Sequence, residues 1–178
     1  SIFRNPFFNN KSDVLFWGHP RRVQQPDGFW SDVYCDPLID EIKNKFLYIE
    51  PFYGSLHLEP IKTQNVSYED FISFWGFLNK PFSKPKLNKS QIDELTFIED
   101  RFQKEFNAKI NILNRVISTV TLYRSKKPLY DLLLKKLKPK LLFITPSYGN
   151  ENIIESSKES GTTVLEIQHG LISNYHMG

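Results

Sequence analysis

Four short apolar runs, each closed by a polar or turn-forming residue, set the framework of this chain. The runs are residues 13–18, 45–50, 140–145 and 163–168. Their content of β-branched, leucine and aromatic residues is typical of buried strands. Between the last two runs, the turn at 145–150 and the amphipathic segment at 150–160, which ends at Gly161, predict a helix. We therefore predict a β–α–β unit with parallel strands.

Helical periodicity fills much of the remaining sequence. Asp36, followed by proline, predicts a helix that runs to about residue 44, and Ser67 predicts the cap of a second helix that runs to about residue 78. Apolar residues then recur every three or four positions over 90–124, which predicts one amphipathic helix, bent or broken once, before a short helix at 129–137. The long helix either pairs in a coiled coil or packs on its own domain, and its departure from a strict heptad favours packing.

Together these elements predict an α/β fold. We expect a Rossmann-like, doubly wound, mostly parallel sheet with flanking helices and one long amphipathic helix. A chain of 178 residues suits a single domain. Because it starts at Ser1 without a methionine and stops at Gly178 in an expected functional loop, we predict a fragment of a longer two-domain protein.

Composition narrows the functional classes. The net charge of +3 permits an anionic ligand, but basic and acidic residues are interspersed, so no nucleic-acid partner is expected. The single cysteine, Cys35, cannot form an internal disulfide, which favours a reducing compartment. The sequence contains no apolar run of the length of a membrane span.

The turn between the third strand and its helix is the first candidate site. Ser147, Tyr148, Gly149 and Asn150 lead from a strand end into a helix N-terminus, where free backbone N–H groups favour an anion. The turn has one glycine and lacks the pattern of dinucleotide-binding or P-loop motifs. The alternative is an ordinary turn in which Asn150 caps the helix.

The second candidate follows the last strand. His169, between Gln168 and Gly170, is expected at the same sheet edge as the turn at 147–150, and a histidine there can act as a general base. Glycine at 170 lets the backbone approach a ligand. His176 follows shortly after. The alternative is a structural histidine, and two histidines without a third ligand do not predict a metal site.

The third candidate follows the first strand. Arg21 and Arg22 come directly after Gly18, His19 and a proline, and adjacent arginines suit the recognition of phosphate or carboxylate. Acidic residues nearby in the sequence leave a salt-bridged loop as the alternative. The nearby aromatic residues either form a stacking surface for a sugar or belong to the core; they are Trp17, Phe29, Trp30 and Tyr34.

The unit with Thr145-Pro-Ser-Tyr-Gly-Asn150, followed by Leu165-Glu-Ile-Gln-His-Gly170 and Tyr175-His-Met-Gly178, resembles a known family. It is similar to the N-terminal domain of GT-B-type enzymes of surface-polysaccharide biosynthesis, which include capsule and lipopolysaccharide transferases and teichoic-acid glycerophosphotransferases. The resemblance covers about forty residues.

The resemblance implies two Rossmann-like domains with the active site in the cleft between them. This chain would be the acceptor-side domain of a transferase, His169 its base, and a nucleotide-activated sugar the donor of the full-length protein, with no cofactor or metal in this fragment. Arg21, Arg22, the turn at 147–150, Gln168, Gly170 and His176 would contact substrate. A glycan or lipid-linked acceptor and a cytoplasmic location are implied, and peripheral association with the inner membrane face is left open. The fragment alone is expected to be inactive.

The rival hypothesis is a non-catalytic Rossmann-like module that binds a sugar nucleotide or a protein. The oligomeric state stays open.

Overall fold

A computed structural model describes residues 4–19, 22–51 and 57–167 of the chain. Backbone contacts divide the chain into two compact units. The first combines Ser1–Ser73 with Leu129–Gly178 and contains the sheet, and the second is Phe74–Pro128.

The strands are β1 (Val14–Trp17), β2 (Val23–Gln24), β3 (Trp30–Ser31), β4 (Phe46–Glu50), β5 (Val66–Tyr68), β6 (Leu141–Ile144) and β7 (Thr163–Glu166). The α-helices are α1 (Asp36–Glu41), α2 (Asp70–Asn79), α3 (Lys89–Phe106), α4 (Ile112–Leu137) and α5 (Glu151–Glu159), with short 3₁₀ helices at Pro6–Phe8 and Lys80–Phe82. The main sheet is parallel in the order β5-β4-β1-β6-β7, and β2 and β3 form a small antiparallel hairpin. The predicted α/β fold with a Rossmann-like parallel sheet is confirmed.

Both faces of the sheet are covered, as the apolar strands require. Leu15 and Trp17 of β1 belong to a core cluster with residues of α2, α4 and α5. Phe16 and Tyr48 point to the other face, where they pack with Ile39 of α1. The strict alternation of β1 between these two clusters explains why all four of its residues are buried.

The long helical segment is broken once, as the sequence predicts, but its boundaries differ. α3 begins after Asn88, whose side chain and Gln91 form a reciprocal capping box, rather than at Ser90. It ends at Phe106, and the next residue, Asn107, has a left-handed backbone (φ 48°). The predicted end at residue 124 is wrong, because α4 continues through Pro128 to Leu137. Buried apolar residues of its last turns hold the helix together where proline lacks an N–H donor.

The strand β5 replaces the predicted start of the second helix. Ser67 lies within the strand rather than at a cap, and pairs with Ile49 of β4. The helix starts at Asp70 instead. A three-residue edge strand followed by two acidic residues has the same local sequence as a helix N-terminus, which accounts for the error.

Candidate functional site

The point where the winding direction of the sheet reverses is the natural place for a ligand. From β1 the chain moves to β4 and β5 on one side, and then crosses to β6 and β7 on the other. The direction of winding therefore reverses between β1 and β6, and we call this position the switch point. Open α/β sheets bind their ligands at the carboxyl ends of the two strands that meet there. Gly18 and Thr145 follow these two strand ends, and the Thr145 amide donates to the Trp17 carbonyl at 3.3 Å.

Trp17 and Asn150 connect the two sides of this switch point. The indole Nε1 of Trp17 donates to Oδ1 of Asn150 at 2.9 Å, and Nδ2 of Asn150 donates to the carbonyl of Pro146 at 2.8 Å. Asn150 stands at the N-cap position of α5, but its side chain makes no capping bond. The asparagine thus fixes the turn to the end of β1 rather than closing the helix.

The backbone amides of the turn already have acceptors. The Ser147 amide donates to Oε1 of Glu166 at 2.9 Å, and the Gly149 amide donates to Oε1 of Glu151 at 3.0 Å. Gly149 adopts a positive φ of 77°, and the Tyr148 side chain between them is 59% exposed. An anionic ligand at this turn would replace carboxylates of the chain itself, at a place where both bonds are exposed to solvent.

Asp32 organises the loop that follows β1. Its Oδ2 accepts from the Tyr48 hydroxyl at 2.7 Å and from the His19 amide at 3.0 Å, and its Oδ1 accepts from two further amides, those of Tyr34 and Cys35. Asp32 is fully buried. Burial, followed by the nearby Asp32 charge, raises the pKa of Tyr48 well above its usual range, so Tyr48 stays a hydrogen-bond donor.

Arg22 lies in a buried ion pair. Its Nε and Nη2 contact Oε2 of Glu50 at 2.6 and 2.5 Å, and its side chain is 1% exposed. Nη1 donates to Thr63 Oγ1 at 2.8 Å, which in turn donates to Asp36 Oδ1 at 2.6 Å. Burial raises the pKa of Asp36, against the lowering effect of its hydrogen bonds from Thr63 and the backbone. These contacts agree with the salt-bridged alternative for Arg22, with Glu50 as the partner; ligand binding by Arg22 stays a prediction.

His57, which the sequence does not mark as a candidate, also contacts Glu50. Nδ1 of His57 lies 2.6 Å from Oε1 of Glu50, and Nε2 lies 2.9 Å from Oδ1 of Asp70. The ring stacks on Tyr68 at 3.5 Å between centroids. A protonated imidazole can donate to both carboxylates, whereas a neutral one can donate to only one. The cluster joins the ends of β4 and β5 to the start of α2.

Cys35 is buried within the same network, which leads to a test of its chemistry. Burial and, next, the Asp32 carboxylate raise the pKa of its thiol. Because the thiolate is the reactive form, we expect a thiol reagent to label the native chain slower than the urea-unfolded chain by a factor on the order of 10³ or more. The chain has one cysteine, so the signal is unambiguous. Comparable labelling rates in the two states would show that the thiol is accessible.

Five predicted site residues lie outside the described part of the chain: Arg21, Gln168, His169, Gly170 and His176. Four of them follow Ile167 in the sequence. The amide of Ile167 donates to the Ile144 carbonyl at 2.8 Å. β7 is parallel to β6, with Glu166 opposite Ile144. Ile167, the last described residue, therefore lies at the carboxyl end of β6, the strand that leads into the turn at 147–150.

Comparison of the chain with protein-family models, curated proteins and solved structures finds no match. Over residues 4–19, 22–51 and 57–167, no group of three or more His, Cys, Asp or Glu side chains is arranged to hold a metal ion. None of the described helices combines the length and apolar character that crossing a membrane requires.

Proposed function

We propose that this chain is the acceptor-side domain of a GT-B-type transferase, which moves a sugar or sugar-like unit from a nucleotide-activated donor to a surface-glycan acceptor. The observation that carries the proposal is the carboxyl edge of the sheet at the β1/β6 switch point. The turn at 147–150 lies there, and the sequence Gln168-His169-Gly170 begins directly after Ile167, which is hydrogen-bonded to the end of β6. The resemblance of the same residues to GT-B N-terminal domains supports the same function.

In this proposal His169 acts as the general base. Its imidazole takes the proton of the acceptor hydroxyl while the acceptor oxygen attacks the transferred unit, and the bond to the nucleotide breaks with the electron pair leaving on the phosphate. The turn at 147–150 lines the acceptor side of the cleft between two domains, and the second domain would supply the donor site. The single, buried Cys35 supports a cytoplasmic location.

A non-catalytic module that binds a sugar nucleotide or a protein is the second candidate. The observation in its favour is that the Ser147 and Gly149 amides are hydrogen-bonded to carboxylates of the chain itself. Such a turn is held in shape without a ligand, and a fold of this class does not by itself imply chemistry.

Product analysis separates these functions. The full polypeptide, as the cell makes it, is incubated with labelled nucleotide-activated sugars and a glycan acceptor. We expect the label to move to the acceptor as the nucleotide is released. Release of free sugar would indicate a hydrolase, return of an isomeric donor an epimerase, and retention of bound, unchanged donor a binding module; each of these results would contradict the transferase.

A further inference from the structure

A segment of the second compact unit combines exposed aromatic side chains with lysines. We call residues 74–89 the aromatic–lysine segment; it includes the end of α2, the 3₁₀ helix Lys80–Phe82 and the loop to α3. Its large apolar residues are Phe74, Trp75, Phe77, Leu78 and Phe82, and its basic residues are Lys80, Lys84, Lys86 and Lys89. All nine side chains belong to exposed residues.

The inner face of α2 is fixed by a close approach at Gly76. A Cβ atom there would lie 2.6 Å from Cγ of Lys126, so this side of the helix packs against α4. Phe74 and Leu78 lie on the opposite face, because they are two residues, or about 200°, from Gly76 in each direction. Phe77 is 72% exposed, and Phe82, just beyond the helix, is 88% exposed. Exposed aromatic side chains gathered in this way mark an interaction surface.

The charged residues of this segment are all basic. Residues 71–92 contain four lysines and no acidic residue, although the whole chain has a net charge of only +3. Within the segment the lysines flank the aromatic residues, and the acidic residues nearest to it in the sequence are Asp70 and Asp93. Helices that lie in the interface of a bilayer with anionic lipids combine exposed Phe, Trp and Leu side chains with lysines beside them. The apolar side chains enter the bilayer, and the lysines are attracted by the lipid charge.

We propose that the aromatic–lysine segment docks this protein on an anionic membrane surface. Phe74, Phe77 and Phe82 enter the boundary between headgroups and acyl chains, and the lysines contact lipid phosphates. Docking requires no transmembrane helix and does not depend on the proposed transfer reaction, so either proposal can fail without the other.

Vesicle co-sedimentation of the full polypeptide tests this proposal. The vesicles are made of phosphatidylcholine alone or of phosphatidylcholine with phosphatidylglycerol. The test variants are Phe77→Ser/Phe82→Ser and Lys84→Glu/Lys86→Glu. Lys43→Glu/Lys45→Glu is the matched control, because these two lysines are also exposed and two residues apart, but lie in the first unit. Thermal midpoints establish that each variant is folded.

We expect binding to the anionic vesicles only, weakened by salt and lowered at least about tenfold in both test variants but much less in the control. Equal losses in the test and control variants would overturn the proposal, because the attraction would then be unspecific. Absence of wild-type binding would also overturn it. If sedimentation velocity then showed a dimer that Phe77→Ser/Phe82→Ser abolishes, the surface would instead belong to a second copy of the chain.

Discussion

Replacing Glu50 by alanine is expected to lower the free energy of unfolding by about 3–5 kcal/mol, because it leaves the Arg22 guanidinium buried without its counter-ion. Glu50 is 4% exposed, and its two carboxylate oxygens contact Arg22 and His57. The hydrogen bond from Arg22 to the neutral Thr63 hydroxyl does not replace the directly bonded carboxylate. The loss should be visible as a lower midpoint in urea-induced unfolding, with an unchanged slope.

Glu59→Ala is the matched control for this prediction. Glu59 also pairs with an arginine, Arg4, at 3.1 Å, but the two side chains are 55% and 37% exposed. Exposed pairs of this kind contribute about 0–1 kcal/mol. A second variant, Glu50→Gln, keeps the shape and removes the charge, and should resemble Glu50→Ala more than Glu59→Ala. Equal, small effects at positions 50 and 59 would contradict the buried ion pair.

Gly18→Ala is expected to destabilise the fold by about 3 kcal/mol through a steric clash. A Cβ atom on Gly18 would lie 1.7 Å from Oη and 2.0 Å from Cζ of Tyr48. The tyrosine cannot move aside easily, because it is fully buried, bonded to Asp32 and covered by the Arg22 guanidinium at 5.2 Å from the ring centroid. The free energy of urea unfolding gives the measurement.

Two further variants separate this clash from the general cost of losing a glycine. Gly28→Ala serves as the control: Gly28 has a positive φ of 85°, but no other side chain or backbone segment lies within 4 Å of the place that a Cβ atom would take. Only a backbone cost of about 1 kcal/mol is therefore expected there. In a double-mutant cycle, Tyr48→Leu should make Gly18→Ala less damaging than it is in the wild type. Strictly additive effects would mean that Gly18 and Tyr48 do not compete for the same space.

The sequence is sufficient to predict those helices and strands whose apolar residues repeat regularly over several helical turns or over a whole strand. β1 and β4 can be predicted because each is apolar on both faces of a covered sheet, and the unit from β6 to β7 because Gly161 ends its helix. The predicted division of α4 before Pro128 is wrong, because the local rule against proline is outweighed by burial of the leucines that follow it, Leu133, Leu134 and Leu137. Local propensity does not include such tertiary contacts.

Most contacts of the polar network at the carboxyl edge of the sheet cannot be predicted from the sequence. Arg22 can be identified as a charged candidate, but its partner Glu50 is 28 residues away. His57 contacts Glu50 and Asp70 across seven and thirteen residues, and nothing in the sequence of its loop indicates that both ring nitrogens meet carboxylates. The turn at 147–150 can be identified, but its closure by Glu166 depends on the register of β6 and β7.

The most direct test of the central claim is the transfer rate of His169→Ala in the full polypeptide, measured beside the wild type and beside Lys43→Ala, an exposed control. The account predicts that kcat falls by about 10²–10⁴-fold, as expected for loss of a general base, while the thermal midpoint stays that of the wild type. It also predicts that the wild-type rate rises with pH as a histidine loses its proton, and that this dependence disappears in the variant. Near-normal kcat in a folded His169→Ala protein would contradict the account and remove this histidine from the reaction.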